Sequence, residues 1–280
     1  MKIKIWGCRG SLPVSGKRHV EYGGNTTCVE ITLSDGGTVI FDAGTGLRNL
    51  GKEMMDRDGE KEVYLYLSHS HWDHLMGFPF FGPAFSPDWK INIRGGPIAK
   101  ETLRNFFEHT MEPPYFPARM SAMKAEMLFT HGIPKITRAG SAEITPIPLS
   151  HPNGGYGFRL EDEGKTVVFL TDNELDHQHH GGESVLGYTQ FCRDAELILH
   201  DAQYTPQEYK RSVKWGHSSF VSAVQMAINS NAGSLGLIHH DPDHDDAALD
   251  RFEKAAEAII RKRKSDLTCF AAWEGQEITL

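Results

Sequence analysis

Residues 68–74 read Ser-His-Ser-His-Trp-Asp-His, and they follow directly on Glu62-Val63-Tyr64-Leu65-Tyr66-Leu67. The earlier run is short, apolar, β-branched and aromatic, the pattern of a buried strand. Chain leaving the end of such a strand is where open α/β sheets place their chemistry. Three imidazoles and one carboxylate within six positions point to a metal site. If the extended geometry continues, His69 and His71 project to the same side, because strand side chains alternate with a period of two. Asp73 and His74 arrive as the chain turns away and are free to face a second ion. Neutral imidazole and carboxylate suit zinc, manganese or iron. The alternative, a solvated histidine-rich loop, fits poorly with a cluster placed behind a hydrophobic strand.

Other strands end in the same kind of residue. Ile144 to Leu149 leads into Ser150-His151-Pro152, and Thr166 to Leu170 into Thr171-Asp172-Asn173-Glu174. Leu197-Ile198-Leu199 ends in His200-Asp201-Ala202, and Leu235 to Ile238 runs into His239-His240-Asp241-Pro242. Together these endings supply donors for two ions, with a carboxylate left to bridge them. The remaining pattern is α/β. Lys2 to Trp6, Thr26 to Leu33, Thr38 to Phe41, Lys90 to Arg94, Gly155 to Leu160 and Leu267 to Trp273 read as strands, and Asp35-Gly36-Gly37 as a hairpin turn. Helical spacing marks Leu47 to Arg57, Ile98 to His109, Ser218 to Ser230 and Ala247 to Lys264, the last with a clear apolar stripe. Met111 to Pro117 holds three prolines and reads as an ordered surface loop. Asp176-His177-Gln178-His179-His180 reads as an exposed loop. Asp42-Ala43-Gly44-Thr45-Gly46 lacks the spacing of a phosphate-binding loop and reads as packing around the site.

Composition narrows the function. A formal charge of −8 over 280 residues argues against general attraction to nucleic acid. Eight Lys/Arg between Trp89 and Arg138 (Lys90, Arg94, Lys100, Arg104, Arg119, Lys124, Lys135, Arg138) read as a solvated face, or more sharply as a basic lip beside an anionic substrate. Cys8, Cys28, Cys192 and Cys269 lie far apart without a Cys-x-x-Cys pair, as expected of reduced thiols in a cytoplasmic protein. The amino terminus alternates like a strand and lacks the apolar core of a signal peptide. No apolar run approaches membrane-spanning length.

The His-x-His-x-Asp-His run, with His151, Asp172 and His239 following in order, resembles the motif set of the metallo-β-lactamase fold. Gly7-Cys8-Arg9-Gly10-Ser11, Gly24-Asn25-Thr26-Thr27 and Asp42-Ala43-Gly44-Thr45-Gly46 are similar to its phosphodiesterase branch, which includes ribonuclease Z and cyclic phosphodiesterases. In that branch a His-Glu-Ala-Thr segment precedes Gly-His-Ser-Thr; this chain has His200-Asp201-Ala202-Gln203 and Gly216-His217-Ser218-Ser219. The departures are Asp201 for Glu and Gln203 for Thr. The resemblance implies one α/β domain over residues 1–280, a four-layer αββα sandwich of two mixed β-sheets flanked by helices. It implies two divalent ions, zinc first with manganese or iron as the other candidates. His69, His71 and His151 would hold one ion, Asp73, His74 and His239 the other, with Asp172 bridging. His239 is favoured over His240 because the motif places the ligand directly after the apolar strand. His217, backed by Asp201, would be the general acid, and Asp73 is counted with them among the catalytic groups. The expected substrate is a small phosphodiester such as a cyclic nucleotide or cyclic phosphate. The competing readings are a transfer-RNA 3′-processing endonuclease, a thioester or lactam hydrolase, and a non-catalytic metal-binding protein. Gly216-His217-Ser218 speaks against the last two, and the acidic charge with no long basic arm against the first. No membrane partner is expected; a homodimer is allowed.

Overall fold

The computed structural model describes residues 1–96, 103–130 and 134–280. Fourteen strands among the described residues form two sheets of seven. In the first, β1 (Lys2–Gly7), β2 (Cys28–Thr32), β3 (Thr38–Phe41), β4 (Glu62–Leu67), β5 (Lys90–Gly95) and β6 (Glu126–Phe129) are neighbours in that order. The carboxy-terminal β14 (Glu277–Thr279) pairs on the outer side of β1. The second sheet runs β7 (Thr137–Ala139), β8 (Ala142–Pro148), β9 (Tyr156–Asp162), β10 (Lys165–Leu170), β11 (Leu197–Asp201), β12 (Ser234–Ile238) and β13 (Thr268–Ala271).

The apolar patterning decides which faces meet. Ile3, Ile5, Val29, Ile31, Val39 and Phe41 of the first sheet share one buried cluster with Ile144, Phe158, Leu160, Val167, Phe169 and Leu199 of the second. Phe41 stacks on Phe158 and Phe169 at ring-centroid distances of 5.4 and 5.1 Å, so the aromatic residues fill the gap between sheets. The outer face of the first sheet (Ile40, Val63, Leu65, Ile91) packs on α1 (Gly46–Asp56) and α2 (Leu103–Thr110). The outer face of the second packs on α3 (Val185–Phe191), α5 (Phe220–Asn229) and α6 (Asp246–Arg263). The layers are therefore helix, sheet, sheet, helix. A further short helix, α4 (Pro206–Ser212), connects β11 to the approach to α5.

Strand direction places the site. β3, β4 and β5 are mutually parallel, as are β10, β11 and β12. β8 and β10 are both antiparallel to β9, so β8 runs with β10. The carboxy-terminal ends of β8, β10, β11 and β12 thus lie along one edge of the second sheet. Strands covered on one face by helices and on the other by the facing sheet read as continuous apolar runs, which is why Val-Val-Phe-Leu and Leu-Ile-Leu are legible.

Most expected elements appear within a residue or two of the expected bounds. The helix read from Ile98 is described from Leu103; its first residues, with Lys100, lie outside the described residues, as does the Ile133 end of the following segment. Residues 111–117 and 176–180 contain no helix or strand. Of the seven described basic residues between Trp89 and Arg138, four are engaged: Lys90 pairs with Glu62, Arg104 with Glu108 and Arg138 with Glu143, while Arg94 donates to the Tyr66 hydroxyl. Cys8, Cys28 and Cys192 are buried and all four thiols are free.

Candidate metal centre

Three of the residues that begin these rim loops have a left-handed backbone. Asp42 (φ 61°), Asp172 (φ 45°) and His239 (φ 61°) each stand one or two positions beyond the end of β3, β10 or β12. Left-handed φ is uncommon outside glycine, though Asp and His tolerate it better than most. Such conformations are held only where surroundings impose them, and they cluster at functional sites. Here they turn the side chain out of the strand and into the rim.

After β4 the strand does not continue; the chain turns through the one-turn helical segment Trp72–His74. His69, His71, His151 and Asp172 nevertheless offer ligand atoms all within 4.8 Å of one another, and so do Asp73, His74 and His239. A third such group joins Asp172, Asp201, His217 and His239. Asp172 divides its carboxylate between the first two groups. Its Oδ2 lies 3.5 Å from His69 Nε2 and 3.8 Å from His151 Nε2. Its Oδ1 lies 3.1 Å from both His74 Nε2 and His239 Nε2. Asp73 Oδ2 closes the second group, 3.1 Å from His74 Nε2 and 3.2 Å from His239 Nε2, and accepts from the Ser11 backbone N–H at 2.8 Å. His240 is excluded from all three groups; its Nε2 donates to the Ala272 carbonyl at 2.9 Å.

The far ring nitrogens are held by neighbours. His74 Nδ1 donates to Asp42 Oδ2 at 2.7 Å. Asp42 also accepts from Ser68 N–H and Oγ–H, and Ser68 Oγ in turn accepts from His69 Nδ1 at 3.0 Å. His239 Nδ1 donates to Gln203 Oε1 at 3.0 Å. These contacts leave Nε2 of each ring facing the cluster, the arrangement that orients metal-binding histidines. The Thr-to-Gln departure at 203 thus carries an amide oxygen to the back of His239. The Asp42 segment packs around the site as the sequence suggested. Thr26 Oγ donates to the Asp73 carbonyl, and a Cβ at Gly10 would overlap the His239 ring.

The residues fit divalent cations. His69 Nε2 is buried with no hydrogen-bond partner among the described residues, a costly state unless something else occupies the lone pair. Burial holds the His69 and His71 imidazoles below their usual range and His151 at about 3, which keeps all three neutral and able to ligate. Burial alone would lower His74 as well, but Asp73, Asp172 and Asp42 outweigh it and raise it well above. Burial should likewise raise Asp73 and Asp172; the surrounding histidines instead hold both well below the carboxylate range. Positive charge is favoured among these side chains.

His217 sits at the edge of the same cluster, stacked on His239 with ring centroids 4.9 Å apart. Its Nδ1 donates to Asp201 Oδ2 at 2.7 Å, so the shorter acid at 201 reaches it. Asp201 Oδ1 accepts from the Ser218 and Gln203 backbone N–H groups, which fixes the carboxylate. Burial would lower the His217 imidazole, but Asp201 overrides it and raises it to about 9.

Glu174 was grouped with metal-type residues by sequence and does not join the cluster. It accepts from Tyr209 Oη, Lys214 N–H, Gly216 N–H and His179 Nε2. It anchors the segment leading into His217. Nothing local announces this role, because its donors on α4 and the following segment lie 35 to 42 positions away.

A family model described as "Beta-lactamase superfamily domain" matches residues 38–240. Among curated proteins, a ribonuclease Z from Haloarcula marismortui is 22% identical over 307 residues, covering 92% of each chain. Among solved structures, the metallo-beta-lactamase fold protein YhfI from Bacillus subtilis matches with a TM-score of 0.71 at 18% identity, covering 99% of both chains. Unliganded yeast PDE1 also matches at 0.71, with 16% identity over 100% of this chain and 99% of that one.

Proposed function

The chain belongs to the beta-lactamase superfamily, hydrolases of the metallo-β-lactamase fold, and from that premise we propose that it is a two-metal phosphodiesterase acting on a small phosphodiester such as a cyclic nucleotide or cyclic phosphate. The observation that carries this reading is the division of Asp172 between two histidine groups, with His217 at their shared edge. His69, His71 and His151 would hold one ion and Asp73, His74 and His239 the other, with Asp172 bridging. Such a pair of ions, zinc or alternatively manganese or iron, supplies an activated water and neutralises charge developing on the phosphoryl oxygens.

The chain's own groups supply the rest. His217 is the proton donor to the departing oxygen, since an alkoxide leaves poorly unless protonated. Asp201 holds the His217 Nδ1–H, which points Nε2 outward and stabilises the imidazolium. Asp42, Ser68 and Gln203 keep the ligating rings in the required tautomers.

The curated relative's name favours a second reading, a transfer-RNA 3′-processing endonuclease. The acidic net charge and the paired basic residues after Trp89 weigh against it, because RNA binding needs a broad positive surface. A panel separates the readings: a bis-aryl phosphodiester, cyclic AMP, a transfer-RNA precursor and a chromogenic lactam, each with and without chelator. Chelator-sensitive turnover of the first two is expected. Turnover of the precursor alone would favour the second reading, and turnover of the lactam alone would overturn both.

A further inference from the structure

A cavity of about 360 Å³ beside the cluster takes no part in the mechanism above. Trp72, Leu75, Phe80, Tyr115 and Phe116 form its main walls. Trp72 and Leu75 flank Asp73 and His74 in the chain, so one short turn builds both the cavity wall and the candidate metal ligands. Adjacent residues are only about 3.8 Å apart at Cα. Trp72 is 73% exposed and Tyr115 74%, whereas large aromatic rings are ordinarily well covered. Phe80 and Phe116, on the same cavity wall, meet edge to face with centroids 5.5 Å apart. The Tyr115 and Phe116 N–H groups both donate to the Glu112 carbonyl, which holds the loop in a defined turn.

Among the described residues no Lys, Arg, Asp or Glu side chain lines this cavity. A second cleft of about 410 Å³ includes His217 among its walls and is polar, with Glu208, Arg211, Asp241 and Asp243. The two share no lining residue. The Trp72 cavity is thus mainly aromatic, with His109 and Thr110 as its polar walls, whereas the His217 cleft is charged.

We propose that the Trp72 cavity is a subsite for a planar aromatic group of the substrate, a nucleobase or aryl ring, held away from the departing oxygen. This rests on the phosphodiesterase reading above. The departing oxygen belongs beside His217, and the aromatic cavity shares no lining residue with the His217 cleft, so a ring seated there lies apart from the departing oxygen. Stacking on exposed rings suits such a group because every base or aryl ring presents a π-face. The cavity is also of the size that encloses small ligands.

The test uses three diesters with the same p-nitrophenolate leaving group, in which the retained group is methyl, phenyl or thymidine-5′. The kcat/KM of each is measured for the wild type, Tyr115→Ala and Trp72→Ala, with metal content determined alongside. The wild type should favour phenyl and thymidine over methyl, and each variant should reduce that preference by about tenfold. Intrinsic reactivity differences between the esters cancel in the comparison of variants. If Trp72→Ala loses metal, Tyr115→Ala, remote in sequence from the ligands, decides. An unchanged preference in Tyr115→Ala overturns the subsite while leaving the hydrolase reading intact. No turnover of any ester would sink the phosphodiesterase reading and the subsite with it.

Discussion

A neutral imidazole carries its proton on one nitrogen and its lone pair on the other, and here neighbours favour which is which. His217 is the clearest case, with Nδ1 tied to a fixed Asp201. His217→Ala is expected to retain metal while kcat falls by roughly 10²-fold or more; steady-state kinetics with elemental analysis checks both. His240 shows the converse, a buried ring with no place in the cluster. Burial holds it at about 3 against an ordinary 6.5. Above pH 6.5 it is neutral in both folded and unfolded chains. As pH falls from 6.5 toward 3 only the unfolded chain takes up the proton, so stability drops across that window. The loss from this group by pH 5 is about 2 kcal/mol at 1.36 kcal/mol per unit. His240→Asn, which keeps a donor for the Ala272 carbonyl, should lose correspondingly less between pH 7 and pH 5 in urea unfolding. Equal acid sensitivity would show that His240 does not contribute.

Among the elements, the segment between α4 and α5 carries His217, the proposed proton donor, and depends on one glycine. Gly216 has φ 95°, its N–H donates to Glu174, and a Cβ there would overlap the His151 ring. Gly216→Ala is expected to destabilise by about 1–3 kcal/mol, read as a fall of several degrees in Tm, and to weaken metal retention. An unchanged Tm would mean that the segment adapts freely. The elements readable from sequence are those with long apolar runs, such as β4, β10 and β12. β6, β7 and β14 escaped because they are three- or four-residue edge strands, with one neighbour and little apolar patterning. α4 could have been found. Thr205-Pro206-Gln207-Glu208 has the signature of a capping box with proline at the first turn, and both reciprocal bonds form. The candidate ligands were legible because each follows a strand end. Glu174, Gln203 and Ser68 were not, because their partners are set by how strand ends converge.

Across the whole molecule, the cluster joins the two sheets. His69, His71, Asp73 and His74 come from the first sheet's rim, and His151, Asp172 and His239 from the second. The buried Arg9 reinforces the join, donating to the Gly23, Asp241 and His244 carbonyls and so tying the amino-terminal loop to the loop after β12. Among the described residues no helix is long and apolar enough to cross a membrane. The most direct test of the paired site is the metal content of the purified chain, measured by inductively coupled plasma mass spectrometry after dialysis into metal-free buffer. About two divalent ions per chain are expected, with loss of both binding and turnover in Asp172→Ala. A folded chain that hydrolyses phosphodiesters while holding one ion or none would contradict it.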